Sequence, residues 1–257
     1  MLARLPRTVI KLTGDGIADW LDGLITNRVR ADAPVFAALL TPQGKIIADM
    51  VVTPGEGGAW LDTPEAMGAD LLKRLKMYVL RAPITVEDVS ADHAVHAVWD
   101  VDEDTPGQPD PRHPSLGHRV IGAALGEGDL VAYDRHRLSL GIPDSQFDFG
   151  PVEVFPHDAA MDELNGLDLR KGCFVGQEVV SRMARLGTVR KRIRTVLLSG
   201  EASPGEAITA GTRRIGDILH VNGNMASALV RLDRMEAATE GYRVGDAPCE
   251  IMAGPNG

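Results

Sequence analysis

The sequence predicts an α+β fold closed at its C-terminal end by a small β-barrel, and two observations carry that reading. The first third of the chain orders its apolar runs and helical stretches as β-α-β-β-β-α-β, a mixed pattern rather than the regular alternation of a doubly wound sheet. After Arg190 the texture changes to short apolar strands between Gly, Asn and Ser-Pro breaks, the spacing of a small barrel. The chain accordingly divides into residues 1–189 and 190–257. Its 257 residues suffice for one large domain or two to three small ones.

Thr8 to Leu12 alternates as a short strand and is broken by Gly14-Asp15-Gly16. Ile17, Trp20, Leu21 and Leu24 recur at helical spacing. Val35–Leu40 and Lys45–Val52 read as strands joined by the turn Thr41-Pro42-Gln43-Gly44, with Pro presetting the second position. The run 54–58 turns the chain into a strand at Ala59–Leu61. Thr63 is then the expected N-cap, Pro64 the first helical residue, and Met67, Leu71, Leu75 and Val79 the buried stripe. Ile84–Val89 returns to strand. Val95, Ala97, Trp99 and Val101 alternate as another strand, so His93 and His96, three apart, point to opposite faces and make a poor metal pair. Acids, Pro and Gly between Asp100 and Pro114 mark an exposed loop. Asp129–Leu140 reads as a helix stopped by Gly141 and Pro143. The barrel strands are Ile193–Leu198, Ile208–Thr209, Ile218–Val221, Ala226–Leu232 and Pro248–Met252.

Composition is ordinary for a globular chain, and no apolar run approaches a membrane span. With no long apolar segment at the N-terminus, the expected location is the cytoplasm. A net charge of −9 argues against general nucleic-acid affinity. Two cysteines, Cys173 and Cys249, are too few for a disulfide framework, and too few to hold an iron–sulfur cluster as this chain's own group.

The stretch Lys171-Gly172-Cys173-Phe174-Val175-Gly176-Gln177-Glu178 concentrates the chemistry. From Gly176 onward the residues read as a helix, with Val179, Met183 and Leu186 on its apolar side and Glu178 and Arg182 as an i,i+4 pair. A sulfur ahead of a helix start, two residues from a lysine, is favoured as thiolate. A small buried hydrophobe in a glycine-bracketed loop accounts for the same residues. The two readings stay open on these residues alone. Arg182, Arg185, Arg190, Lys191, Arg192 and Arg194 follow without an intervening acid. They form either a solvated face or a cationic rim for carboxylates or phosphates.

Residues 171–178 resemble the K-G-C-[FY]-x-G-Q-E signature of the YgfZ family of folate-binding proteins, relatives of the glycine-cleavage T-protein. Phe155-Pro156-His157-Asp158, Leu164-Asn165-Gly166-Leu167 and Gly187-Thr188-Val189-Arg190-Lys191-Arg192 are similar to its flanking motifs. So are Leu24-Ile25-Thr26-Asn27 and Ala38-Leu39-Leu40-Thr41-Pro42-Gln43-Gly44-Lys45 near the start. The resemblance implies a T-protein-like ring, with residues 1–189 as two interleaved folate-binding modules and tetrahydrofolate or a one-carbon derivative in a central channel. It implies an accessory protein for assembly or repair of iron–sulfur clusters, with client proteins or the assembly machinery as partners. Cys173 would be the functional thiol, tuned by Lys171. Gly172, Gly176, Gln177 and Glu178 would shape the site, and Arg182 and Arg192 would serve the folate carboxylates. A folate-dependent one-carbon transferase or demethylase and a tRNA-modification accessory protein are the alternatives. Two departures bear on them. The related aminomethyltransferases carry two consecutive aspartates where this chain has Ala48 and Asp49, and the first is their key acid. They usually carry an acid at the position of Ser139.

Overall fold

The structure, a computed structural model, describes residues 1–187 and 189–255. In chain order its elements are β1 (Leu2–Leu5), β2 (Arg7–Gly14), α1 (Ile17–Asp22), β3 (Val35–Leu40), β4 (Ile46–Gly55), β5 (Gly58–Pro64), α2 (Glu65–Val79) and β6 (Ile84–Asp88). There follow β7 (Ala94–Val98), β8 (Gln108–Pro109), β9 (His118–Gly122), α3 (Leu130–Ser139) and α4 (Gln177–Leu186). The C-terminal part holds β10 (Lys191–Leu198), β11 (Ala207–Ala210), β12 (Arg213–Asn222), β13 (Met225–Arg231), α5 (Leu232–Glu236), β14 (Tyr242–Val244) and β15 (Ala247–Ile251).

Three antiparallel units result: a five-stranded sheet β3-β4-β5-β2-β6, a four-stranded sheet β1-β7-β9-β8, and a closed six-stranded barrel β10-β13-β12-β11-β14-β15. The barrel builds its own apolar centre from Val196, Ile208, Ile215, Ile218, Ala228 and Val230. The helix α2 buries Met67, Leu71 and Leu75 of the expected stripe against the first sheet, with Val79 only half-buried at its end, and Gly68 lets it lie directly on Thr8. Its start differs from expectation. Thr63 still belongs to β5 and donates its hydroxyl to the Asp49 carbonyl at 2.8 Å, so Pro64 is the N-cap and no side chain caps the helix. At α3 the Asp129 carboxylate accepts from the Ala132 amide, the usual N-cap bond.

The sequence reading missed β1, β8, β9 and β14, and placed Val101 in a strand that ends at Val98. For β9 the reason is physical. His118 and Arg119 break the apolar alternation because Arg119 points into a buried ion network instead of an apolar core.

That network joins the units. Arg7 Nε donates to Asp62 (2.9 Å), Arg119 bridges Asp62 and Asp110 (3.2 Å to the latter), and Arg112 bridges Asp110 (2.9 Å) and Asp144 (2.8 Å). Burial alone raises the proton affinity of Asp110, but the Arg112 and Arg119 guanidiniums reverse this and hold its carboxyl at about 2. Removing one partner of such a pair leaves an uncompensated buried charge, so each of these residues depends on the others across the two sheets. A second set ties on the barrel: Arg137, fully buried, grips Asp148 at 2.6 Å, and Ser227 of β13 donates to the same carboxylate at 2.7 Å. His220 and Asn222 of β12 each lie 2.7 Å from Asp134 of α3.

Candidate functional site

The segments that carried the resemblance lie far apart in the chain and meet in space. Thr26 donates its hydroxyl to the Gly166 carbonyl (2.7 Å) and accepts from the Ala38 amide (2.9 Å). Asn27 donates to the carbonyls of Phe36 (2.9 Å) and Asn165 (2.7 Å). Asp168 then accepts from the amides of Arg170 (2.9 Å) and Lys171 (3.1 Å), folding the chain into a tight loop before the cysteine. Residues 164–171 are thus laid onto the α1–β3 connection by backbone-directed bonds.

Gly176 closes the loop. It has φ of 80°, is the N-cap of α4, and a Cβ there would lie 2.6 Å from the Thr41 carbonyl oxygen. Gly44 has φ of 83° and faces Val179 across the same contact. The two glycines let the loop–helix junction sit directly on the β3–β4 turn, a place no side chain could occupy. Gly172 differs: a Cβ there would meet nothing within 4 Å, so sterics do not demand glycine at that position.

Cys173 is exposed at the crest of this loop, three residues before the helix cap, which removes the packed-hydrophobe reading. Phe174 beside it is buried. Lys171 takes a role the sequence did not suggest. It is buried, and its ammonium donates to the carbonyls of Asp22 (2.6 Å) and Asn27 (3.1 Å), with the Phe174 ring 5.3 Å away. The lysine is a strut between the loop and the end of α1. Burial pushes its pKa below the ordinary lysine value, against the pull of Asp22 and Asp168.

Other expectations are corrected here. Glu178 and Arg182 form no ion pair with each other among the described residues. Val180 is the buried residue of α4, whereas Leu186 is 65% exposed. The basic stretch is not one continuous rim. Arg192 is buried and makes a two-pronged contact with Asp162 (2.6 and 2.9 Å), and Arg194 does the same with Glu163 (2.9 and 3.0 Å). These two arginines lash the barrel to the 155–166 segment, leaving Arg182, Arg185, Arg190 and Lys191 exposed. Gln177 and Glu178 line a cleft of ≈410 Å³ with Leu169, Ser181 and Arg185. On the other flank of the segment, Asn27, Arg28, Arg30, Phe36, Asn165 and Asp168 line one of ≈510 Å³.

Ala48 is fully buried, and strand alternation sets it on the face shared with Met50, Thr63 and Thr8, the side covered by α2. Asp49 faces the ion network instead, hydrogen-bonded to the Ser145 hydroxyl. Burial raises its proton affinity, opposed by Arg7 and enhanced by Asp144. Ser139 is exposed at the end of α3, its hydroxyl donating to the His136 carbonyl (2.7 Å). His93 packs on Trp60 while His96 is buried in β7, and no group of metal-holding side chains forms among the described residues.

Comparison with known proteins gives this geometry a context. Residues 190–253 match the family model of the CAF17 C-terminal β-barrel domain. The glycine cleavage system aminomethyltransferase T of Bartonella henselae superposes over 99% of this chain and 85% of its own, with a TM-score of 0.70 at 12% identity. The fold is that of the glycine-cleavage T-protein, closed by a CAF17-type barrel. Among curated sequences, the mitochondrial iron–sulfur cluster assembly factor IBA57 homolog of Mycosarcoma maydis is 31% identical over 224 residues, 75% of this chain and 56% of that protein. Human mitochondrial IBA57 is 27% identical over 293 aligned positions, 93% of this chain and 80% of its own. The chain spans little more than half the length of the fungal relatives it matches. The T-protein-like fold expected from the 171–178 motif is therefore present, and the chain is related to the IBA57 assembly factors. The expected cytoplasmic location is overturned, because these relatives are mitochondrial proteins.

Proposed function

We propose that this protein is a YgfZ-type accessory factor in iron–sulfur cluster assembly or repair, acting through the thiol of Cys173 on clusters carried by client proteins or the assembly machinery. The carrying observation is the exposed sulfur, held on a loop that Asp168 folds, Lys171 ties to the α1–β3 connection and Gly176 seats on the β3–β4 turn. The names of the IBA57 relatives support the process. An exposed thiol on a braced loop can meet a partner's cluster without reorganising the fold, and a cluster in transit is a substrate here.

Tetrahydrofolate, or a one-carbon derivative, is the ligand proposed from the motif. The ≈510 Å³ cleft beside Asn165 is lined by Arg28 and Arg30, whose partners Asp168 (3.6 Å) and Asp32 (3.1 Å) form surface pairs that a ligand carboxylate can displace, unlike the buried pair of Arg192. Arg192 is not part of that set, since Asp162 and Glu163 already hold its guanidinium. One observation favours the transferase as a second reading: Asp49 supplies a carboxyl of raised proton affinity at the junction of the sheets.

Cys173→Ala is the deciding variant. It should keep the fold and a folate-dependent rise in melting temperature, yet fail to restore cluster-dependent enzyme activities in cells lacking the protein. Alkylation resolved by mass spectrometry should label Cys173 faster than Cys249, whose thiol burial pushes up. Full complementation by Cys173→Ala would end the thiol reading. Folate-dependent methylene transfer by the purified protein, lost in Asp49→Asn, would put the transferase first.

A further inference from the structure

Four cations surround a small cleft on the barrel wall, apart from the Cys173 loop. Lys191 of β10, Arg214 of β12, Arg231 at the end of β13 and Arg234 of α5 line a cavity of ≈190 Å³, and Asp217 is the one acid among the lining residues. The arrangement is unfavourable by itself: Lys191 and Arg231 stand directly opposite each other in the β10–β13 ladder, and like charges in that relation destabilise a sheet. Local acids compensate only in part. Arg214 pairs with Asp217, and Arg231 with Asp233 (2.9 Å). Arg234 donates to the uncharged carbonyl of Arg214 (2.8 Å), and among the described residues the Lys191 ammonium makes no side-chain hydrogen bond or ion pair, its charge being felt by Asp158. The floor is kept low by Gly216, where a Cβ would lie 2.6 Å from the Leu229 carbonyl oxygen. A chain of net charge −9 thus holds a concave, positively charged recess.

We propose that this recess binds a small, multiply charged phosphate anion, either pyrophosphate itself or the phosphate end of a nucleotide. Arginine forks suit phosphate oxygens: Arg234 offers one beside the Lys191 point charge, and Arg214 and Arg231 carry exposed pairs with Asp217 and Asp233 for which a phosphate competes. The small volume and the flanking Asp217 and Asp233 select a compact anion over an extended nucleic-acid backbone. Binding relieves the repulsion between Lys191 and Arg231, so the free protein carries the strain and the complex does not.

Titration calorimetry with pyrophosphate on the full chain at about 150 mM salt tests this. Saturable binding that weakens as salt rises is expected, with a loss of roughly tenfold or more in Lys191→Gln/Arg234→Gln. Loss of a like-charge pair should leave the melting temperature of that variant unchanged or raised. If it fails to fold, Lys191→Gln alone carries the test, because among the described residues its side chain has no hydrogen bond to lose. Nucleotide di- and triphosphates titrated in parallel distinguish the two phosphate sources. Absence of binding up to about 10 mM, binding unaffected by the variants, or tRNA binding that pyrophosphate does not compete would each overturn the proposal.

Discussion

Replacing Lys171 by Met separates a strut from an electrostatic tuner. The side chain makes two charge-assisted hydrogen bonds to backbone carbonyls, to Asp22 at 2.6 Å and to Asn27 at 3.1 Å. Bonds of this kind contribute about 1.5–3 kcal/mol each. The desolvation that lowers the lysine pKa offsets part of that sum, because Met relieves it. We therefore expect Lys171→Met to cost about 2 kcal/mol of stability in urea unfolding, with the two carbonyls left unpaired. The loss should concentrate in the loop: amide exchange over residues 168–176 should accelerate more than exchange in β4 or the barrel. The pH profile of Cys173 alkylation, by contrast, should keep its midpoint, since the ammonium is engaged by the Asp22 and Asn27 carbonyls. A midpoint moved upward with unchanged loop exchange would refute the strut and restore Lys171 as the group that activates the thiol.

Two further predictions follow from buried carboxylates. Ala48→Asp places an acid on the helix-covered face of β4, where Ala48 has no exposed surface; it should destabilise the protein by several kcal/mol and yield no one-carbon transfer, and a stable, active variant would show that this face can open. Asp110 is held at about 2, below its unfolded value of 3.8, so its contribution, on the order of 2 kcal/mol, is present above pH 4 and is lost as pH falls toward 2. Stability measured against pH should fall more steeply across that window in the native chain than in Asp110→Asn, and parallel curves would contradict the assignment.

What could be read in the sequence, and what could not, depends on the length of an element and on what it buries. Elements that bury apolar stripes were legible: α2 through Met67, Leu71 and Leu75, and the barrel through its Gly-bounded strands. β9, whose buried side is ionic, was not, and the short strands β1, β8 and β14 offer too few residues for a period to show. Arg119 hid β9, and Arg192 and Arg194 suggested an open cationic rim while their guanidiniums face Asp162 and Glu163 from a neighbouring segment. A charge is read as solvent-facing unless its partner is visible nearby, and the partner of Arg192 lies 30 residues away. The site shows the same division. The motif 171–178 singled out Cys173, which lies exposed, and Gly176, whose positive φ at the start of α4 is a local feature, while its contact with Thr41 is not. The acceptors of Lys171, at residues 22 and 27, are carbonyls that carry no residue identity, so no sequence pattern records them. Glu178 and Arg182 failed for the converse reason: i,i+4 spacing permits a pair, but on an exposed helix face the net gain is a few tenths of a kcal/mol and does not compel one. Position 48 makes the closing case. The resemblance implies an acid at this position, and in the fold Ala48 lies on the helix-covered face while the carboxyl that faces the junction of the sheets is one residue further along β4, at Asp49, so Ala48→Asp is expected to restore the residue type without the chemistry.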